Sequence, residues 1–299
     1  MFLAAIDLGT NSSRLLIAEK QGNKLLPVCR KMQTTRLGSG LSANGRLHVQ
    51  GKKATLLAVA SFLEIAERYR AAQLYIMGTS ALRQADDGAG FCRELAAYAG
   101  CPVEVLSAEE EAYYSYTGVR KSLSLSDRIL VFDLGGGSCE LIWQSNHKVE
   151  TASYLFGALN LTEQFFRHDP PQPGEIAEAR GYIQNLLNRS ALQDKEIVGT
   201  GGTVTALASV ALGLSAYDPG KIHGYFLPAA KVQEVFSKIT AVPASARALI
   251  TGLPPARAPI MPAGTLVVNE LLAAAGAEGL VVSEEGLLLG RLYAAISQA

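Results

Sequence analysis

The period of the apolar positions changes repeatedly along this chain, and each change marks an element. Phe2 to Ile6 is a short apolar run closed by Asp7-Leu8-Gly9-Thr10-Asn11-Ser12, and Arg14 to Ala18 is a second run beyond it. Small polar residues and glycine between two β-type runs predict a hairpin. The same order recurs later: Ile129 to Phe132, then Asp133-Leu134-Gly135-Gly136-Gly137-Ser138, then Glu140 to Trp143. Lys24 to Thr34 extends the first hairpin as a third strand, and Val149 to Leu155 extends the second.

Between the hairpins the period lengthens. Val49 to Tyr69 carries Leu56, Val59, Ala60, Leu63 and Ala66 at helical spacing,. Leu74 to Met77 predicts a buried strand, Phe91 to Tyr98 a helix closed by Gly100, and Val103 to Leu106 another strand,. Ser107 offers an N-cap for a helix from Ala108, whose first turn holds Glu109, Glu110 and Glu111, where acids meet the positive helix end,. The second half predicts helices over Asn160 to Phe166 and Gly174 to Leu187, and a strand ending at Ile197-Val198-Gly199. A helix opens at Thr200-Gly201-Gly202-Thr203 and runs through Ala211. The proline-rich Pro254 to Pro262 reads as a loop, followed by a helix over Ala263 to Ala275, a strand over Leu280 to Val282 and a helix from Glu284 to Ile296.

Strands alternating with helices predict an α/β fold, and 299 residues favour two domains,. The expected division is 1–119 and 120–299, with the helix over 284–299 packing back on the first domain and the Ser-rich Arg120 to Arg128 as hinge. Basic and acidic residues balance at 27 each, so no global field points to nucleic acid as a partner,. Uninterrupted apolar runs fall short of a membrane span, and Met1 to Ile6 lacks the basic start of a signal peptide,. Cys29, Cys92, Cys101 and Cys139 have no metal-ligand spacing, which predicts free thiols in a reducing cytoplasm,.

The repeated turns carry the chemistry. A tight glycine turn presents several backbone N–H groups to one side, a nest that binds phosphate oxygens. Gly9, Thr10, Asn11 and Ser12 form one such nest, and Gly135, Gly136, Gly137 and Ser138 the other. Asp7 and Asp133, at the strand ends, are suited to orient a hydrated divalent cation, Mg²⁺ or Mn²⁺,. Two copies in two halves suggest a duplicated fold acting on a phosphoryl group. Hydrolysis also needs a base for water, and the residues alone do not choose among Glu109, Glu110 and Glu111. Gly201-Gly202 at a helix start is either an anion site or a packing turn,.

Ile6 to Leu15 resembles the opening signature of the exopolyphosphatase/guanosine pentaphosphate phosphohydrolase (Ppx/GppA) family. The resemblance continues through Arg36-Leu37-Gly38, Gly78 to Arg83, Ser107 to Ala112, Asp133 to Glu140, Gly199 to Thr203 and Ile222-His223-Gly224-Tyr225. It implies two duplicated actin-like (ribonuclease H-like) domains with a catalytic cleft between them. It also implies Glu111 as the base and Arg83 as a phosphate contact, with Arg14, Arg36, Glu140, Gly201, Gly202 and His223 as further site residues. The implied activity is Mg²⁺-dependent release of orthophosphate from inorganic polyphosphate, with guanosine pentaphosphate as the alternative substrate. A small-molecule kinase or an actin-like filament on the same fold are more distant alternatives, and a homodimer is an open expectation. Larger members carry a further helical region, so this chain is expected to act on shorter polyphosphate or with lower processivity.

Three departures from the family pattern stand out. Cys139 replaces the usual threonine, which predicts a thiol beside the site and inhibition by its oxidation,. Asp86 adds negative charge where Asn is common, near Arg83. Ser283-Glu284-Glu285-Gly286-Leu287-Leu288 lacks the arginine common after this glycine, which predicts a lost ion pair.

Overall fold

The computed structural model describes residues 1–126, 128–145, 148–188, 191–193 and 195–297. Asp127 of the expected hinge and residues 298–299 of the expected terminal helix lie outside that range. Contacts divide the chain into two units, Met1–Ser122 with Glu285–Ala299, and Leu123–Glu284.

The first unit holds a five-stranded sheet of β1 (Phe2–Leu8), β2 (Ser12–Gln21), β3 (Lys24–Thr34), β4 (Gln73–Gly78) and β5 (Val103–Val105), in the order β3-β2-β1-β4-β5. The hairpin partners run antiparallel, while β1–β4 and β4–β5 run parallel. Ala4, Ile6 and Leu8 face a core completed by the helices Val49–Arg68 and Gly88–Ala99. Leu3 and Ala5 face Leu287, Leu289, Leu292 and Tyr293 of the helix Leu287–Ser297. A strand buried on both faces reads as continuous apolar sequence, which is why Phe2 to Ile6 shows no alternation.

The second unit repeats the plan. Its sheet contains β6 (Ile129–Leu134), β7 (Cys139–Ser145), β8 (Lys148–Tyr154), β9 (Glu196–Thr200), β10 (Phe226–Pro228) and β11 (Gly279–Val282), ordered β10-β11-β9-β6-β7-β8. β6, β7, β8, β9 and β11 pair with the same directions as β1, β2, β3, β4 and β5, and β10 adds one antiparallel edge strand. Helices Ala158–Phe165, Pro173–Leu186, Gly202–Ala211, Ala229–Thr240 and Met261–Ala275 enclose its core.

Boundaries shift where local chemistry decides them. The last helix starts at Leu287 rather than Glu284. Glu285 instead turns to Arg30 of β3 and pairs with it. The helix after the proline-rich loop begins at Met261 with Pro262 in its first turn, a position where the missing N–H costs nothing,. Gly118 crosses against the Gly286 carbonyl and Gly290 against the Tyr114 carbonyl, so the helices Ala108–Ser122 and Leu287–Ser297 pack backbone to backbone.

Candidate active site

Both hairpin turns close with the same bond. The Gly9 amide donates to the Ser12 carbonyl at 3.1 Å, and the Gly135 amide to the Ser138 carbonyl at 3.0 Å. The other loop carbonyls are consumed on one side. The Asn11 carbonyl accepts from the amides of Thr35 and Arg36 (3.0 and 2.9 Å), and the Thr10 carbonyl from Gly38 (2.9 Å). In the second loop the Gly135 and Gly136 carbonyls accept from Ala158 and Leu159, and Asn160 Nδ2 donates to the Gly137 carbonyl at 2.9 Å. With the carbonyls held from one side, the Gly136 and Gly137 amides donate to no backbone carbonyl among the described residues. This is the polarity an anion nest requires.

The equal turns place Asp7 opposite Arg14 and Asp133 opposite Glu140. In the first hairpin the pair is complementary: Arg14 Nε and Nη2 donate to Asp7 Oδ2 at 2.9 and 2.7 Å. In the second, two carboxylates face each other, both buried, with Ser153 Oγ donating to Glu140 Oε1 at 3.3 Å. Like charges directly across an antiparallel pair are unfavourable, and a cation relieves them. No group of three or more His, Cys, Asp or Glu is assembled for a metal among the described residues. The facing carboxylates of Asp133 and Glu140 suit a hard, oxygen-loving cation that takes its other ligands from water and phosphate,.

The strand ends bring further residues alongside each loop. Leu8 pairs with Gly78, so Thr79 to Arg83 follows β4 beside the first loop, and Thr79 Oγ1 reaches the Leu8 carbonyl. Arg83 Nη1 donates to the Leu106 carbonyl at 2.7 Å and to Glu111 Oε2 at 3.1 Å. The three acids now separate. Glu110 Oε2 accepts from the Ser107 amide (2.9 Å) while Ser107 Oγ accepts from the Glu110 amide (3.1 Å), a reciprocal cap,. Glu109 is exposed, and its carboxyl lies below the usual range, held there first by its own backbone N–H and then by the Ser107 side chain. Glu111 alone is buried and turned toward the arginine.

In the second unit Asp133 pairs with Thr200, and Gly201, at φ 94, passes so close that a Cβ would lie 2.6 Å from the Leu134 carbonyl. Gly202 lies against the guanidinium of buried Arg257, a contact the sequence does not announce. His223 turns to the residues that follow β11. Its Nδ1 accepts from the Glu284 amide at 3.2 Å, and Tyr217 donates to the Glu284 carboxylate.

Two of the three departures resolve differently from the sequence expectation. Cys139 is fully buried in the core beside Leu134, Leu141 and Phe156, and burial pushes its thiol well up, with the Glu140 and Asp133 charges adding to the effect. A protonated, enclosed thiol is a poor target for peroxide, so Cys139 is a packing residue and not a redox switch. Ellman's reagent on native protein, followed by peptide mapping, is expected to leave Cys139 unmodified until the protein is unfolded; rapid native labelling would contradict this. Asp86 is exposed, with its amide bonded to the Gly45 carbonyl, and it makes no ion pair among the described residues. Arg83 bonds Glu111 and the Leu106 carbonyl instead.

Residues 16–298 match the Ppx/GppA phosphatase family. Exopolyphosphatase 2 of Mycobacterium tuberculosis is 33% identical over 308 residues, covering 96% of this chain and 96% of that protein. The crystal structure of the Aquifex aeolicus Ppx/GppA family member superposes with a TM-score of 0.84 at 29% identity, covering 100% of this chain and 98% of the other. An exopolyphosphatase from Cytophaga hutchinsonii shares the fold at a TM-score of 0.92 and 22% identity, with 100% and 99% covered.

Proposed function

The chain belongs to the Ppx/GppA phosphatase family, a family of hydrolases, and on that premise we propose that it is an exopolyphosphatase releasing orthophosphate from the end of inorganic polyphosphate. The observation that carries this reading is the isolation of Glu111: one buried carboxylate, oriented by Arg83, while its two neighbours serve the helix start.

In this reading Glu111 takes the proton from the attacking water. Phosphoryl transfer asks the protein for positioning and for charge stabilisation on the equatorial oxygens. Arg83, with Nη1 committed to Glu111 and Leu106, meets the terminal phosphoryl through its other guanidinium N–H groups, so base and substrate share one rigid mount. The loops Gly9–Ser12 and Gly135–Ser138 supply N–H and hydroxyl donors to phosphate oxygens. Asp133 and Glu140 are the residues that would hold Mg²⁺ or Mn²⁺, and Asp7 contributes less because Arg14 already occupies Oδ2. When bound, such a cation withdraws charge from the phosphate oxygens it meets.

Orthophosphate release with Mg²⁺, measured in parallel on polyphosphate and guanosine pentaphosphate, tests the substrate. Faster turnover of polyphosphate is the expected result. Preference for the nucleotide would move the protein to the other substrate of the same chemistry, and no release from either would overturn the reading.

A further inference from the structure

The loop Gly135–Ser138 is oriented from behind by a helix start. The first amides of the helix Ala158–Phe165 have no partner inside it, as at any helix start,. Here they go to the loop. The Ala158 amide donates to the Gly135 carbonyl at 3.0 Å, and the Leu159 and Asn160 amides to the Gly136 carbonyl at 2.9 and 3.2 Å. The Asn160 side chain takes the next carbonyl, its Nδ2 donating to Gly137 at 2.9 Å. In a trans peptide the carbonyl and the following N–H point opposite ways. Holding the carbonyls of Gly135, Gly136 and Gly137 against the helix therefore turns the N–H groups of Gly136, Gly137 and Ser138 away from it. None of these N–H groups donates to a backbone carbonyl among the described residues, although Gly137 and Ser138 are buried. Each bonded carbonyl polarises its own peptide, and the positive helix end behind the loop favours an anion on the other side.

This close fit restricts the residue at two positions. Gly157, just before the helix, has φ −131, a value open to any residue, yet a Cβ there would lie 2.6 Å from the Gly137 nitrogen,. Space, not conformation, requires that glycine. Asn160 is the second position, because its bond to Gly137 comes from a side chain, whereas the bonds to Gly135 and Gly136 are made by backbone that any residue supplies. No backbone amide among the described residues reaches the Gly137 carbonyl, so the peptide that presents the Ser138 N–H is held there by Asn160. The first loop differs. Its Thr10 and Asn11 carbonyls are held by the amides of Gly38, Thr35 and Arg36.

We infer that Asn160 is a positioning residue for phosphate binding: it fixes the Gly137–Ser138 peptide so that the Ser138 N–H joins those of Gly136 and Gly137 in facing the phosphate. This deepens the exopolyphosphatase reading above and rests on it for the phosphate that the loop receives. Without the side-chain amide, that peptide is free to turn over, which sets a carbonyl where an N–H faced the anion. A carbonyl oxygen repels phosphate, so the loss of orientation exceeds the loss of one bond.

Asn160→Ala removes the donor, and alanine is the better helix former, so the helix and the Tm are expected to hold. KM for polyphosphate is expected to rise about 10-fold, the lower end for a hydrogen bond to a charged group, with kcat within about threefold. Asn160→Gln keeps an amide one methylene further out and is expected to recover part of the loss. Amide resonances of nitrogen-15-labelled protein, titrated with tripolyphosphate, report the orientation without turnover. In the wild type the Gly136, Gly137 and Ser138 signals are expected to move together. In Asn160→Ala the Ser138 response is expected to fall by more than half, and in Asn160→Gln to return in part. A KM for Asn160→Ala within about twofold of wild type would overturn the assignment. So would a full Ser138 response in that variant, since Asn160 would then act on phosphate directly or on the helix alone. Wild-type loop amides that ignore tripolyphosphate would overturn it as well. A wild type whose loop amides respond but which releases no orthophosphate from polyphosphate would count against the exopolyphosphatase reading, and the variants' Ser138 shifts would then decide the role of Asn160.

Discussion

Glu111→Gln is expected to lower orthophosphate release from polyphosphate by about 10²–10⁴-fold, the range for losing a general base, with little change in KM. Glutamine keeps the volume of a buried side chain and an oxygen for Arg83 Nη1, so the fold should survive. The base can no longer take a proton. Glu110→Gln provides the contrast, because its carboxylate caps the helix start through the Ser107 amide. That variant should lose some stability and little activity. Stopped assays on both, with Tm as the fold control, separate the roles: equal activity loss in the two variants would remove Glu111 from the proposed mechanism.

The largest expected effect on stability lies far from that chemistry. Arg247 is 1% exposed and spends its guanidinium on three elements. Nε donates to the Val242 carbonyl at 2.9 Å, Nη1 to the Ala258 carbonyl at 2.7 Å, and Nη2 pairs with Asp169. Arg247→Met fills similar space and removes every donor. Each carbonyl left buried without a partner costs about 1–3 kcal/mol, whereas half-exposed Asp169 regains water and adds little,. The expected loss is about 2–4 kcal/mol, or a Tm lower by roughly 5–15 °C. Denaturant melts of wild type and variant measure it, and a change within about 0.5 kcal/mol would mean the loop closes without this arginine. Specific activity per folded molecule should hold.

Much of this was legible in the residues because the signals are local. A glycine turn between two apolar runs predicts a hairpin, and the sheets contain both hairpins where the turns lie. Ser107 and Glu110 stand three apart, the spacing of a reciprocal cap,. Even the facing of Asp7 with Arg14 and of Asp133 with Glu140 follows by counting outward from the turns. The helix Ala229–Thr240 was also there to be read, since Val232, Val235, Phe236 and Ile239 recur at helical spacing and are buried together,. What no local pattern holds is which distant residues meet. Arg83 finds Glu111 through the parallel pairing of β4 with β5, Arg257 reaches Gly202 from inside a proline-rich loop, and the backbone of Arg36 is set by Asn11 and Gly51. Cys139 failed as a sequence inference for a related reason. Its neighbours in sequence are Ser138 and Glu140, but its neighbours in space are apolar.

The first unit is written in two pieces, Met1–Ser122 and Glu285–Ala299, with roughly 160 residues of the second unit between them. During synthesis its sheet is finished long before the helix Leu287–Ser297 that covers Leu3, Ala5, Leu16, Ala18 and Met77. At ~5–20 residues per second, that apolar face waits roughly 10–30 s for its cover. The second unit's own sheet is completed only when β11 (Gly279–Val282) is made, a few residues before that helix, so the two units reach completion together. An apolar sheet face therefore stays open until the last residues of the second unit have been made.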